Sequence, residues 1–538
     1  MDGLIRETTV VLSLDCPVRV CLTQVRLTTS GEGVGSVAVR GADRADRIRG
    51  NIVRSTPRRV IVVSLVIGML AVVSACSSRS NDSTATNTTP PTSGGASSGA
   101  PANGQFGTIT DPVCGPAPSS GSTTQTAAPV GATTGPNVLG VTPTAIRVGT
   151  ISDPGFSGYP GLNQELFDAS DVFVSWCNSV GGINGHKIQL DKLDAAVLNY
   201  KDVIDTACGQ DFALVGGGGV LDSTGENDRL TCLLPNYPGY VLSSQARGSD
   251  LTVQATNGGS NSQVSFGLAN YLQEKFPDAG QAVGYITGNV STTVANKNQY
   301  QEAGASLGWK TVYDDQYNSQ GEATWLPFAQ GLKDKGAKGL YFVGSAQNLA
   351  KLLNALGQID YKLAWVASSE NMYDPALIPL GGPDLDVNNV YVNDTTTPFL
   401  STEVPAINQY EQLFQQYLPN GLKNAALGLN SFASWLLFAQ SAKACGDTIT
   451  RACVFGNASH TTEFDGGGLS GKINPSTPEV STQCFVPVVA NSKGFTVINW
   501  NANDGPYNCD PANVFKLTGD YGQATTLASV GKSLSDLN

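Results

Sequence analysis

Residues 145–193 read AIRVGTISDPGFSGYPGLNQELFDASDVFVSWCNSVGGINGHKIQLDKL. Ala145–Ile151 is a short apolar run of the kind that forms a buried strand, and it ends in the turn-rich loop Ser152–Tyr159. Leu166, Phe167, Val172, Phe173 and Trp176 then recur at helical spacing across 162–180, and Gly181-Gly182 stops the helix. His186–Leu193 is a second strand pattern. Strand, helix and strand in this order make a crossover unit, which joins parallel strands.

Outward from this unit the alternation continues. A helix is expected at 200–208, and a strand at 212–215 running into Gly216–Gly219. A helix at 226–233 and a strand at 240–244 follow. The pattern restarts after the glycine-rich stretch 256–262, with helices at 264–276, 294–307, 325–335 and 348–356. The strands between and after them fall at 282–287, 310–313, 339–343 and 363–367. Such alternation predicts an α/β fold of two similar, doubly wound parallel-sheet lobes in tandem.

Upstream, Arg54, Arg58 and Arg59 precede the apolar run 60–73, broken only by Ser64 and Gly68 and ending in Val73-Ser74-Ala75-Cys76. A charged flank, a short apolar core and small residues before a cleavage point are the parts of a secretory signal. The cysteine placed next resembles a bacterial lipobox, which implies that Cys76 is diacylated and becomes the first mature residue. The core is 14 residues long, whereas a spanning helix needs about 20. An uncleaved membrane anchor is the alternative. Either way the bulk of the chain is expected outside the cytoplasm. Residues 1–53 precede the charged flank, carry six acids and show no clear period. A start assigned too far upstream is the simplest expectation, with Val53 as the candidate. Residues 1–76 are therefore read as an upstream extension plus lipoprotein signal peptide.

Residues 77–143 are rich in Ser, Thr, Pro and Gly and can bury little surface to offset their ordering entropy, so a disordered tether is expected, pinned at one point near Cys114. The segment 516–538 lacks a strong pattern and is expected to be a mobile tail. The whole chain has 32 basic and 44 acidic side chains, a net charge of −12. Residues 1–76 carry ten of the basic and six of the acidic ones, so the remainder holds 22 and 38, a net charge of −16. Such acidity argues against nucleic acid or anionic lipid as a partner. Acyl chains would hold the protein to the membrane.

Of 11 cysteines, Cys16 and Cys21 fall in the extension and Cys76 would carry lipid. Eight remain, an even count that reads as disulfides in an exported chain. Cys445 and Cys453 flank a short helix connection, and Cys484 and Cys509 flank a strand pair, which makes these two pairs the readings from local context. No metal is expected: there is no CxxC pair, and His186 and His460 are the only histidines.

Leu139-Gly-Val-Thr-Pro-Thr-Ala-Ile-Arg-Val-Gly149 resembles the opening of the ABC-transporter substrate-binding proteins of the branched-chain amino acid type. Asn178-Ser-Val-Gly-Gly-Ile-Asn-Gly-His-Lys-Ile188 is similar to the same family's first helix end. Leu349–Gly357 with Tyr361, and Phe464-Asp465 with Leu469-Ser-Gly-Lys-Ile473, look like its later motifs. The resemblance covers about 140–515 and implies a type I periplasmic binding fold, two lobes joined by three crossings. Mapped here, it implies lobe I at 144–258 and 389–478 and lobe II at 259–388 and 479–515. It also implies that Cys208 and Cys232 are neighbours on one face of the sheet, leaving Cys177 for Cys114. A small-molecule ligand and an ABC permease are the partners it implies.

In open parallel sheets, ligands lie beyond the carboxyl ends of the strands, where helix N-termini offer N–H groups. From lobe I, the candidate ligand residues are Phe156, Ser157, Tyr159, Leu221, Asp222, Ser223, Ser243, Ser244 and Gln245. From lobe II they are Asn289, Val290, Ser345, Glu370, Asn371 and Tyr373. Any single serine could equally cap a helix or fill a turn. The family's amino acid binders place an acid in lobe II for the ammonium group. The loop Val343–Ala346 has none, which leaves Glu370 or Asp222, and a neutral amide, an aromatic acid or another small polar solute stays open as the ligand.

Chemistry other than binding finds little support. Gly216–Gly219 is followed by no Gly-Lys-Ser/Thr, so a phosphate loop is not expected. Neither histidine sits in a nucleophile-like setting, since His186 precedes a strand and His460 follows Asn457-Ala-Ser, and no Gly-x-Ser-x-Gly lies at a strand–helix turn, so neither an enzyme nor a cofactor is expected. The reading is solute capture and delivery to an importer, with a ligand sensor that presents its closed form to a partner protein as the alternative.

Overall fold

The computed structural model describes residues 8–14, 21–28, 36–39, 103–116, 136–477, 479 and 481–537. The signal, Cys76 and most of the expected tether lie outside the described residues. Residues 1–93 and 94–538 form separate units. In the first, β1 (Thr8–Leu14), β2 (Cys21–Thr28) and β3 (Ser36–Val39) make an antiparallel sheet, where the sequence shows no clear period.

The second unit contains both expected sheets. The first is built from β4 (Val141–Thr142), β5 (Ala145–Ser152), α1 (Gln164–Ser179), β6 (Lys187–Asp194), α2 (Tyr200–Gln210), β7 (Ala213–Val215), α3 (Glu226–Thr231) and β8 (Asn236–Tyr237). Its parallel strands lie in the order β6-β5-β7-β8, and β4 pairs antiparallel with the start of β5. β5 is central and buried on both faces apart from Arg147, as a parallel strand covered by helices must be. α1 buries Val172, Phe173 and Trp176 on one face of this sheet, each worth about 1.5–3 kcal/mol when removed from water. α2 and α3 cover the other face.

The turn after α1 has a physical reason to read Gly-Gly-Ile-Asn-Gly. Ile183 and His186 exchange both backbone hydrogen bonds at 2.9 Å, and the two residues between them, Asn184 and Gly185, have φ of +49° and +84°. That is a type I′ turn, for which Asn-Gly is the favoured pair. The Asn184 side chain donates to the carbonyls of Lys443 and Gly446 at 2.9 Å each, fastening the turn to the chain beyond the end of a distant helix.

The strand expected at 240–244 is instead β8, displaced toward the N-terminus. Pro238 has no N–H to give a ladder, and the N–H groups of Leu242 and Ser243 go to the Asp222 carboxylate.

The second sheet repeats the winding. The chain enters it through β9 (Gln263–Ser265), which lies outside this sheet, and α4 (Gly267–Lys275); its elements are β10 (Val283–Gly288), α5 (Ser291–Ser306), β11 (Thr311–Tyr317), α6 (Leu326–Asp334), β12 (Gly339–Val343), α7 (Ala346–Gln358), β13 (Trp365–Ser369), two short helices α8 (Leu377–Gly381) and α9 (Leu385–Asn388), and β14 (Val390–Asp394). The order β11-β10-β12-β13-β14 again puts the second strand outside the first. The chain then returns to the first sheet through α10 (Pro405–Tyr417), α11 (Ala426–Lys443) and α12 (Arg451–Ser459), whose apolar side chains join those of α1. It ends in β15 (Val486–Asn491) and β16 (Gly494–Val497), antiparallel additions to the second sheet, and β17 (Val514–Lys516), which pairs with β9. β14 pairs with β13 and β15, so the chain leaves the second sheet after Asp394 rather than before residue 389.

Two segments expected to be mobile are packed. Residues 103–116 lie against α10 and the turn after α1. Phe106 and Val113 are fully buried, Gln409 bonds both Gly107 N–H and the Gln105 carbonyl, and Gly115 N–H donates to the Gly182 carbonyl. The C-terminal segment returns to the first lobe, where Leu527 and Leu537 pack on Leu230, Leu233 and Leu251. The disulfides are Cys114–Cys177, Cys208–Cys232, Cys445–Cys453 and Cys484–Cys509. Among the described residues, no helix is long and apolar enough to cross a membrane.

Candidate functional site

A cleft of about 260 Å³ opens where the carboxyl ends of β5, β7, β10, β12 and β13 face one another. The first lobe contributes Phe156, Tyr159, Leu162, Asn163, Val197, Leu198, Val220, Leu221, Tyr240, Val241 and Leu242. The second contributes Val290, Thr293, Asn296, Tyr300, Tyr317, Val343, Ser345, Asn348, Glu370 and Asn371. Arg247, Asn257, Gly258 and Gly259, from the first crossing between the sheets, form part of the wall. Apolar and aromatic side chains dominate, with a few polar groups between them.

Asp153 organises the first lobe's rim. It is fully buried, and its carboxylate accepts from Val197 N–H at 2.6 Å and Val220 N–H at 3.0 Å. Those bonds tie together the loops after β5, β6 and β7. Burial pushes its pKa up to about 6 against the opposing pull of the two N–H groups. Tyr240 accepts from Asn163 Nδ2 at 2.9 Å, which fixes its ring on the cleft wall.

Of the residues the sequence singles out, Phe156, Tyr159, Leu221, Val290, Ser345, Glu370 and Asn371 line the cleft. The others do not. The Asp222 carboxylate is spent on Leu242 and Ser243 N–H, and burial raises its pKa to about 6. Ser243 accepts from Ala246 N–H, and Asn289 accepts from Ser319 N–H. Ser157 and Gln245 are exposed, while Ser223 and Ser244 are half-buried away from the cleft. Tyr373 is fully buried and stacks on Phe399 with ring centroids 3.9 Å apart.

Glu370 is no surface residue. Its carboxylate accepts from Thr395 Oγ1 at 2.6 Å and Asn430 Nδ2 at 2.8 Å, and burial pushes its pKa up. Ser345 caps α7 by accepting from Asn348 N–H. Asn371 bridges the Gly344 carbonyl and the Ser369 hydroxyl. The sequence reading missed Arg247 and Tyr300. Arg247 follows Ser243–Gln245 in the same loop, and Tyr300 sits in a helix with no apolar stripe. Among the described residues, no cluster of His, Cys, Asp and Glu could hold a metal ion.

A family model described as periplasmic binding protein matches residues 145–479, which hold the parallel strands of both sheets. The chain belongs to this family. Its members are non-enzymatic solute-binding proteins. Among solved structures, a fatty acid ABC transporter substrate-binding protein from Thermomonospora curvata is similar at 14% identity. The match covers 72% of this chain and 98% of that one, with a TM-score of 0.60. A branched-chain amino acid transporter substrate binding protein from Streptococcus pneumoniae, solved in complex with isoleucine, is 15% identical. There the match covers 66% of this chain and 99% of that one, with a TM-score of 0.53. A periplasmic binding protein type 1 from Bordetella pertussis is also 15% identical, covering 66% and 96%, with a TM-score of 0.52. At these identities the likeness establishes the fold, that of the type I periplasmic binding proteins. No curated protein matches the chain.

Proposed function

We propose that this periplasmic binding protein captures a small organic solute in the cleft and delivers it to an ABC importer at the outer face of the membrane, where acyl chains on Cys76 hold it. The observation that carries this reading is the cleft itself. It is concave, largely apolar, set at the carboxyl ends of two facing parallel sheets, and walled by the crossing between them. A solute that touches both walls favours the closed arrangement by its extra contacts with the second lobe. The structural relatives named for fatty acid and branched-chain amino acid transport support an importer as the destination.

The test is a thermal-shift screen of acids, amides and amino acids, paired with small-angle scattering. A true ligand raises Tm by mass action and compacts the particle. A broad screen in which no compound does either would defeat the proposal. Anchoring has its own check: metabolic labelling with a palmitate analogue should mark the wild type and not Cys76→Ser.

A further inference from the structure

Arg247 is a buried cation on the cleft wall that makes no ion pair among the described residues. It is 5% exposed. Its Nη1 donates to Gln299 Oε1 at 2.7 Å and, at 3.4 Å, to the Ser260 carbonyl. Its Nε is buried with no hydrogen-bond partner. Among the described residues, no carboxylate lies within ion-pair distance of it. The two acids whose fields reach it, Asp222 and Glu479, are engaged elsewhere. Asp222 holds Leu242 and Ser243 N–H, and Glu479 accepts from the hydroxyls of Ser260 and Ser262.

A guanidinium removed from water without a counter-charge is costly, and proteins keep one where a partner arrives from outside. The surroundings are shaped for it. Gly259, with φ +79°, lets the backbone lie against the guanidinium, and a Cβ there would come within 3.2 Å of Nε. Val220, Leu221, Val241, Leu242 and Val290 line the same cleft.

We infer that Arg247 is the anchor for a carboxylate on the ligand, and that the cargo is a small acid with an apolar body. This rests on the reading of the cleft as a solute site. A carboxylate matches the fork of a guanidinium and supplies the counter-charge that Arg247 lacks, while the aliphatic wall takes the rest of the molecule. Neutral polar solutes such as sugars would leave the cation uncompensated and the wall unmatched.

The test compares each acid with its amide, which has nearly the same shape and lacks the carboxylate's negative charge. Octanoate and octanamide, phenylacetate and phenylacetamide, and leucine and leucinamide are titrated by calorimetry against the full mature protein. The expected result is that in at least one pair the acid binds tighter than its amide, by roughly tenfold to a hundredfold, since bonds to charged groups outweigh neutral ones. Arg247→Gln should abolish that preference and leave amide binding in place. Amides that bind as tightly as their acids in every pair that binds overturn the inference, and so does a variant that keeps the preference. The wild-type comparison stands even if the variant fails to fold. A sugar or other neutral solute that binds and compacts the protein, with every acid inert, overturns the carboxylate anchor and leaves solute capture intact. No binding by any compound removes both.

Discussion

Tyr521, near the C-terminus, donates its hydroxyl hydrogen to Glu302 on α5 at 2.7 Å. Glu302 Oε1 also accepts from Thr518 N–H and Oγ1, at 2.6 and 2.7 Å. Burial works against the charged carboxylate, but these donors outweigh it and hold its pKa below the usual range. From there the chain crosses to the first lobe. Thr525 N–H donates to the Gln245 carbonyl, Leu527 N–H to Asp250, and Leu527 and Leu537 pack beside Leu230 and Leu251. Residues 518–537 are therefore a strap from one lobe to the other. Leu527→Ala should cost about 2–4 kcal/mol, as buried leucine truncations do. Glu302→Ala, at a half-buried site, should cost less than about 1 kcal/mol. Urea denaturation of both variants checks this, and a Leu527→Ala protein as stable as the wild type would mean that the segment is loose in solution.

Glu165 makes stability depend on pH. It is buried at the start of α1, and burial first, then the charge of Asp374, push its pKa up to about 8. Asp374 is raised by burial as well. Both carboxyls bind a proton more tightly folded than unfolded, so the stability they contribute is full below the unfolded values. It is lost as pH rises toward 8. Wild-type Tm should fall between pH 5 and pH 8 on this account. Glu165→Gln should flatten the slope and exceed the wild type at pH 8 by roughly 1–3 kcal/mol. Parallel slopes for the two proteins would rule Glu165 out as the source.

The Cys114–Cys177 disulfide holds residues 103–116 against the first lobe across a sequence separation of 63. Cys114→Ser should lower stability by about 2–4 kcal/mol, the range for closing a loop of this size. It should also make the peptide bonds near Phe106 accessible to protease. Mass mapping of early cleavage products reads this directly, and an unchanged cleavage pattern would show that burial of Phe106 suffices without the disulfide.

Legibility in the sequence followed the range of the interactions. The strands and helices of 145–215 could be read because a change from runs of apolar residues to helical spacing is a local signal. The I′ turn at Asn184-Gly185 could be read because its residues pay for their own geometry. The strand expected at 240–244 failed because its N–H groups are taken by Asp222, some twenty residues earlier, which no window centred on the segment can show. The same holds for the site. Phe156, Tyr159 and Leu221 sit in loops adjoining readable strands, so position alone nominated them. Arg247 and Tyr300 gain their place from the way the crossing and α5 are brought together, and nothing in their neighbourhoods marks them. The strap and residues 103–116 have the composition of linkers and are ordered by a few leucines, a phenylalanine and one disulfide.

Asp153 carries the sharpest prediction for binding. Val197 sits at φ +67°, a left-handed conformation that is strained for a β-branched residue. Its N–H is held by Asp153 Oδ1, while Oδ2 holds Val220 N–H, and Val197 and Val220 both line the cleft. One carboxylate thus keeps a strained loop in place against the ligand. Asp153→Ala leaves two N–H groups without their partner and lets Val197 relax to an unstrained conformation that no longer shapes the wall. The expected cost is about 2–4 kcal/mol of stability and a fall in ligand affinity of roughly tenfold or more, since the loop must be re-ordered on binding. Val197→Gly, which adopts the same φ without strain, should bind nearly as well as the wild type. Calorimetry with any ligand from the screen distinguishes the cases: an Asp153→Ala protein with wild-type affinity would show that the rim is positioned by something other than this carboxylate.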